Sequence, residues 1–188
     1  MDTEIVKKLI QQKQTEDSIR QEFEQTLSER VIRYLAVKPH GIIPNTKFAP
    51  ASSECSLLFR DGHFYGCIAL VQAVAEALMR LLCQTNKIPL GEFENNLKQL
   101  FEAEVITDGI RKSFLKIWER RNDYHHLNPT VETDRQELEK IAKEKASLLV
   151  EAEKEIFSFV PSTDGKLIPK EPKYWEGCNN QVFLRLEP

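Results

Sequence analysis

Arg120-Arg121-Asn122-Asp123-Tyr124-His125-His126 places side chains suited to phosphodiester chemistry next to one another. Arginine holds a phosphate through parallel, permanently charged hydrogen bonds. Histidine moves protons near neutral pH. Neither needs a metal. The spacing predicts one amphipathic helix from about Thr107 to Leu127, with the cluster at its end. Thr107-Asp108 supplies a capping hydroxyl and an acidic first turn. Asn128-Pro129 stops the helix, because the residue before proline avoids the helical region. At about 100° per residue, Ile110, Phe114, Ile117 and Trp118 form the core-facing stripe. Arg121 and His125 fall near the middle of that stripe; Lys112, Lys116 and Asp123 fall opposite. A guanidinium on an apolar stripe needs a partner, a cavity or an interface. Otherwise it snorkels past the helix end into water.

Other stretches extend the pattern. Gly62-His63-Phe64-Tyr65-Gly66-Cys67-Ile68-Ala69-Leu70, continuing through Glu76-Ala77-Leu78, is similar to the second helix of HEPN domains. The Arg-Asn-x-x-x-His ending resembles their signature: an arginine, a polar residue, and a histidine four to six residues on. A final long helix completes the resemblance, which covers roughly residues 52–158. It implies an all-helical, usually dimeric fold. Many members are metal-independent endoribonucleases, often toxins or defence effectors with a neutralising partner; others only bind nucleic acid or nucleotides. It also implies Arg121, Asn122 and His126 as the site positions. Arg120 with His125 repeats the spacing without the asparagine. On a straight helix His126 points about 140° away from Arg121, whereas His125 points the same way. Either the helix unwinds before Asn128-Pro129, or the two groups meet through a second subunit; His125 stands as the alternative.

The remaining composition narrows the classes. The chain has 188 residues, 41 % of them apolar, which is ordinary for one globular domain with extensions. Its net charge of −3 and pI near 5.9 argue against non-specific coating of nucleic acid. A local basic site beside the motif, made by Lys112, Lys116 and Arg120, stays compatible with that charge; so does an ordinary solvated face. No run approaches the length expected of a bilayer span, and Met1-Asp2-Thr3-Glu4 is no secretory signal. Cys55, Cys67, Cys83 and Cys178 form no Cys-x-x-Cys pair, and Cys67 and Cys83 lie about 24 Å apart on one expected helix. Reduced thiols of a cytoplasmic protein are expected. Asp123, His125 and His126 lack ligand spacing, and only His40 and His63 are left, so no metal is expected. Without a Gly-rich phosphate loop, no cofactor is expected either.

The elements that must position the cluster are nearly all helical. Residues 1–36 form a long charged helix marked by Ile5, Leu9, Ile19, Phe23, Leu27, Val31 and Leu35, with a wholly polar stretch at Gln11–Ser18. It is expected to pack only partly on the domain or to pair with another chain. Residues 37–53, with Pro39, Pro44 and Pro50, read as a linker. A bundle spans residues 54–159: a short helix to Arg60, a central helix Phe64–Cys83 apolar on two faces, a helix Glu92–Glu104, the motif helix, and a last helix Thr133–Phe159 opened by the capping box Thr133-Asp134-Arg135-Gln136. Glu76, polar on the central helix, is placed to orient an arginine. Residues 160–188 read as an extended tail, with a small hairpin from Tyr174-Trp175 through a Gly-Cys-Asn-Asn turn to Gln181–Leu186. The expected fold is therefore all-α, an HEPN-like up-down bundle with a long N-terminal helix and a short extended or hairpin tail.

Three functions compete. The first is a metal-independent endoribonuclease acting on single-stranded RNA, with Arg121, Asn122 and His126 at the centre and Arg120, His125, Lys116 and Glu76 in support. The second is a nucleic-acid or nucleotide binder using the same groove. The third is a helical assembly protein in which the Arg-His cluster is structural. Two apolar faces on Phe64–Cys83, and an arginine on the motif stripe, predict a symmetric dimer with two motif copies near its axis.

Overall fold

A helix that is apolar on most sides must sit among other helices. Phe64–Thr85 is such a helix, and in the computed structural model it is the centre of a helical bundle. The structure describes residues 3–39, 41–43, 49–164, 166–175 and 183–184. The elements follow as α1 (Thr3–Ala36), β1 (Ile42–Ile43), α2 (Ala49–Arg60), α3 (Phe64–Thr85), α4 (Phe93–Glu102), α5 (Asp108–Trp118), α6 (Arg121–His126), α7 (Arg135–Ile156), β2 (Phe159–Pro161), β3 (Leu167–Pro169), a 3-10 turn at Pro172–Tyr174 and β4 (Phe183–Leu184). Helix α3 packs against α2, α4, α5, α6 and α7. Ile68, Leu78, Leu82, Leu97, Phe114 and Ile117 are fully buried where these helices meet. The second apolar row of α3 is not left bare: Val74 is buried, and Leu70, Ala77 and Leu81 pack against the same core.

By length and composition α3 would be able to cross a bilayer, contrary to the sequence expectation that no stretch is long enough. Here its most apolar stretch is 56 % buried by the chain's own helices. It also carries the buried amide of Gln72, which has protein partners.

The turn from α2 into α3 is fixed by Gly62. Its φ of +78° is left-handed, and an added Cβ would sit 2.8 Å from the Arg135 guanidinium. Asp61 beside it pairs with Arg60 at 2.7 Å and Arg30 at 3.0 Å. Those arginines hold its carboxyl below the usual range, chiefly through the hydrogen bond from Arg60. Arg33 crosses to Glu139 on α7 at 2.8 Å and lies over the Phe64 ring. Arg30, Arg33 and the buried Val37 thus fasten the C-terminal end of α1. The expected apolar marks Ile5, Leu9, Ile19, Phe23, Leu27, Val31 and Leu35 stay exposed. Their row runs along a helix whose docking uses arginines instead.

Several boundaries move. Helix α2 begins at Ala49, inside the expected linker. Helix α7 is capped by Asp134, whose carboxylate accepts from the Gln136 and Glu137 amides, and not by Thr133; the Glu132 carboxylate accepts from the amides of Thr133 and Asp134. The C-terminal hairpin is β2–β3, directly after α7. The strand expected near Val182–Leu186 is real as Phe183–Leu184, but it pairs antiparallel with Ile42–Ile43 rather than with a neighbour in sequence. The Gly177–Asn180 turn lies outside the described residues. Short strands have little local signal, so their partners are chosen by distant chain.

Leu78→Ala should cost about 2–5 kcal/mol in urea unfolding, because it opens a cavity at the bundle centre. Leu35→Ala, at a site 70 % exposed, should change stability by less than about 0.5 kcal/mol. Equal losses at both positions would contradict this packing.

Candidate functional site

The motif does not sit on the end of a continuous helix. The expected helix Thr107–Leu127 starts as foreseen, with the Thr107 hydroxyl accepting from the Ile110 amide at 3.1 Å. It ends at Trp118. Glu119 leaves the helical region, Arg120 is left-handed at φ +57°, and the chain restarts as the six-residue α6. A broken helix exposes its last carbonyls, which must find donors when buried. Here two side chains from other helices supply them. Lys145 Nζ donates to the carbonyls of Lys116, Ile117 and Glu119 at 3.1, 2.7 and 3.0 Å. Gln72 Nε2 donates to those of Ile117 and Glu119 at 3.0 and 3.3 Å. Both side chains are buried.

The stretch Trp118-Glu119-Arg120-Arg121 contains neither glycine nor proline, so nothing local marks the break. The signal lies elsewhere: a lysine on the core face of α7, seven residues after Leu138 and four before Leu149. Lys145 is the residue that sequence reasoning missed. Burial pushes its ammonium down to about 8, against an ordinary 10.5, while the Glu119 and Glu144 charges oppose the shift.

After the break α6 turns its own faces. Tyr124 enters the core; Asn122, His125 and His126 are exposed. Leu127 closes the helix with φ +49°, and the Asn128 amide donates to the Asp123 carbonyl at 3.0 Å. Arg121 lies over the Trp118 ring at 4.9 Å, and Trp118 in turn stacks on Phe93 at 3.9 Å. Its Nη2 approaches the Glu76 carboxylate to 3.8 Å, and its buried Nε has no hydrogen-bond partner. Glu76 also pairs with Arg80 at 2.7 Å. Partial desolvation lowers the exposed His125 imidazole below its ordinary value, Arg121 and His126 lower it further, and Glu76 partly offsets them. His125 therefore shares the electrostatic field of Arg121 and Glu76.

The other basic residues are tied back. Arg120 pairs with Asp123 at 2.9 Å, donates to the Thr130 carbonyl and lies over Tyr124. Lys116 pairs with Glu119 at 2.8 Å and Lys112 with Asp108 at 2.6 Å. The row Lys112, Lys116, Arg120 is a face of internal ion pairs. Among the described residues no cluster of histidine, cysteine, aspartate or glutamate is arranged to hold a metal ion. Cys55, Cys67 and Cys83 are buried and form no disulfide with one another, and burial raises the Cys67 thiol to about 12. Cys178 lies outside the described residues.

No protein-family model, curated protein or solved structure matches this chain.

The capping lysine has a measurable signature. Its folded pKa lies below its unfolded one, so the unfolded chain binds more protons between about pH 8 and 10.5. Stability should therefore rise across that window and fall back as the pH drops through about 8. Relative to Lys145→Met, the wild type should gain roughly 1–3 kcal/mol between pH 7.5 and 10.5 in urea unfolding. A constant difference across the window would contradict a buried, charged Lys145.

Proposed function

We propose that this chain is a metal-independent endoribonuclease of the HEPN type. The observation that carries the reading is Arg121, held between Trp118 and Glu76 with His125 in its field, at a helix end where His125 and His126 are exposed. In this reading the 2′-hydroxyl of RNA attacks the adjacent phosphorus. A histidine of the pair takes the hydroxyl proton, and a proton returns to the departing 5′-oxygen. Arg121 stabilises the charge on the phosphoryl oxygens, and Asn122 positions the strand. The products carry 2′,3′-cyclic phosphate and 5′-hydroxyl ends. DNA lacks the internal nucleophile and resists.

The same proposal names single-stranded RNA as the partner, a homodimer as the working assembly, an inhibitory protein as a further partner, and the cytoplasm as the compartment. A role as toxin or defence effector belongs to it as well. Cys55, Cys67 and Cys83 are buried and form no disulfide with one another, which fits a reducing environment.

One observation favours a structural reading instead. The Arg121 side chain is only 33 % exposed and packs on Trp118, as an arginine does when it seals a helix junction.

The two readings give different results. If the nuclease reading holds, purified protein cuts single-stranded RNA in excess EDTA and spares single-stranded DNA of the same sequence. Arg121→Ala and His126→Ala then each reduce cutting at least a hundredfold. His125→Ala shows whether that imidazole shares the proton transfer. His126→Ala should lose less than about 0.5 kcal/mol of stability, since the residue is exposed. If Arg121→Ala unfolds the protein and the parent neither binds nor cuts RNA, the cluster is structural. Binding without cutting assigns the site to recognition alone.

A further inference from the structure

The N-terminal two thirds of α1 stand off the bundle. Every described side chain from Glu4 to Gln25 except Val6 is exposed, and among the described residues Arg30 with Asp61 ties α1 to the turn before α3. Most helical stability in proteins comes from packing an amphipathic face, and apolar residues left along a free helix add a cost unless something covers them. Ile5, Leu9, Ile19 and Phe23 are 53, 57, 62 and 47 % exposed. With Gln12 and Glu16 between them, they follow one another at steps of four, three, four, three and four residues. That is the seam of a two-stranded coiled coil.

We infer that this seam pairs with the same seam of a second copy of the chain, antiparallel, about a two-fold axis level with Gln14. The register makes six layers. Ile5 meets Phe23 of the second copy, Leu9 meets Ile19, Gln12 meets Glu16, and the sequence then repeats in reverse. The polar residues that interrupt the stripe thus meet each other, as amide against carboxylate, and not an apolar layer. Charge sets the direction. Residues 4–13 carry three lysines against one glutamate, whereas residues 16–24 carry four acids against one arginine. Antiparallel pairing lays the basic half on the acidic half; parallel pairing lays like on like. Beside the seam, Lys8 faces Glu22 of the second copy, twice by symmetry, and Thr15 faces its own copy. Lys13 approaches its counterpart near the axis, but its ammonium is already paired with Asp17 at 2.9 Å. The inference is independent of the nuclease reading, because it uses no residue of the motif.

Cysteine cross-linking tests both the pairing and its direction. The background is Cys178→Ser, since Cys55, Cys67 and Cys83 are buried. Under mild oxidation Thr15→Cys should form a disulfide-linked dimer. Lys8→Cys mixed with Glu22→Cys should give the mixed dimer, while Lys8→Cys alone should not link, its copies lying about 21 Å apart along the pair. In sedimentation the parent should dimerise at tens of micromolar, and Leu9→Lys should be monomeric with unchanged melting of the bundle. Lys8→Glu should weaken the dimer about five- to tenfold, and Lys8→Glu with Glu22→Lys should restore it. Linking of Lys8→Cys to itself would overturn the antiparallel register. A monomeric parent, or a dimer that survives Leu9→Lys, would overturn the inference altogether. A monomeric parent that sediments with anionic phospholipid vesicles would make the occupant of this face a membrane, and the second copy would be wrong.

Discussion

The bundle depends on one buried ammonium. Lys145 enters from the core face of α7 and holds three carbonyls at the break after α5, two of them shared with the Gln72 amide. A charge in a helical core is costly unless its donors are used, and here all three are. Gln72 adds its amide from the central helix, so α3, α5 and α7 are locked at one point. With that point fixed, the chain can leave the helical path at Glu119 and Arg120 without stranding buried backbone groups. The direction of α6, and with it the orientation of Arg121, His125 and His126, follows from this junction.

This explains which parts of the architecture were legible. Helices α1, α3, α4 and α7 announce themselves through apolar spacing, and their positions agree with the sequence reading to within a few residues, as does the start of α5 but not its end. Thr107 was readable as a cap because a hydroxyl before an acidic turn is a local signal. The break at Trp118 was not readable, since its cause lies on residues 46 and 27 positions away from Trp118, at Gln72 and Lys145. An apolar stripe written as Ile110, Phe114, Ile117 and Trp118 continues smoothly into Arg121 on a wheel. Only the donors on neighbouring helices show that the wheel should stop. The pairing of Phe183–Leu184 with Ile42–Ile43 is non-local in the same sense. Two-residue strands carry no register of their own, so the alternation near Val182–Leu186 found a strand and not its partner.

Helix α1 shows the complementary lesson. Its apolar row was visible in sequence, but visibility of a row says nothing about what it packs against. The bundle takes hold of α1 through Arg30, Arg33 and Val37, on positions that a hydrophobic reading passes over. Arginines can dock a helix because their stems and planar heads lie on aromatic faces while the charge finds carboxylates. Arg33 does both, over Phe64 and against Glu139. The apolar residues left over are then available for a contact outside the fold.

The same two-sided chemistry decides what Arg121 can do. Glu76 accepts both hydrogen bonds from Arg80 on one oxygen, Oε1, at 3.1 and 2.7 Å. Its other oxygen faces Arg121 at 3.8 Å, too far for a hydrogen bond but close enough to attract. Trp118 supports the guanidinium from its face rather than from its edge, and a face contact consumes no N–H donor. The result is an arginine oriented by charge and stacking, with no terminal N–H bonded to Glu76. The Arg33 guanidinium, by contrast, commits its Nε and Nη2 donors to Glu29 and Glu139. Arg120, one residue away, is committed in the same manner to Asp123 and the Thr130 carbonyl. Of the adjacent pair, Arg121 is therefore the one whose terminal donors can be turned towards an anion without first breaking a bond of the fold.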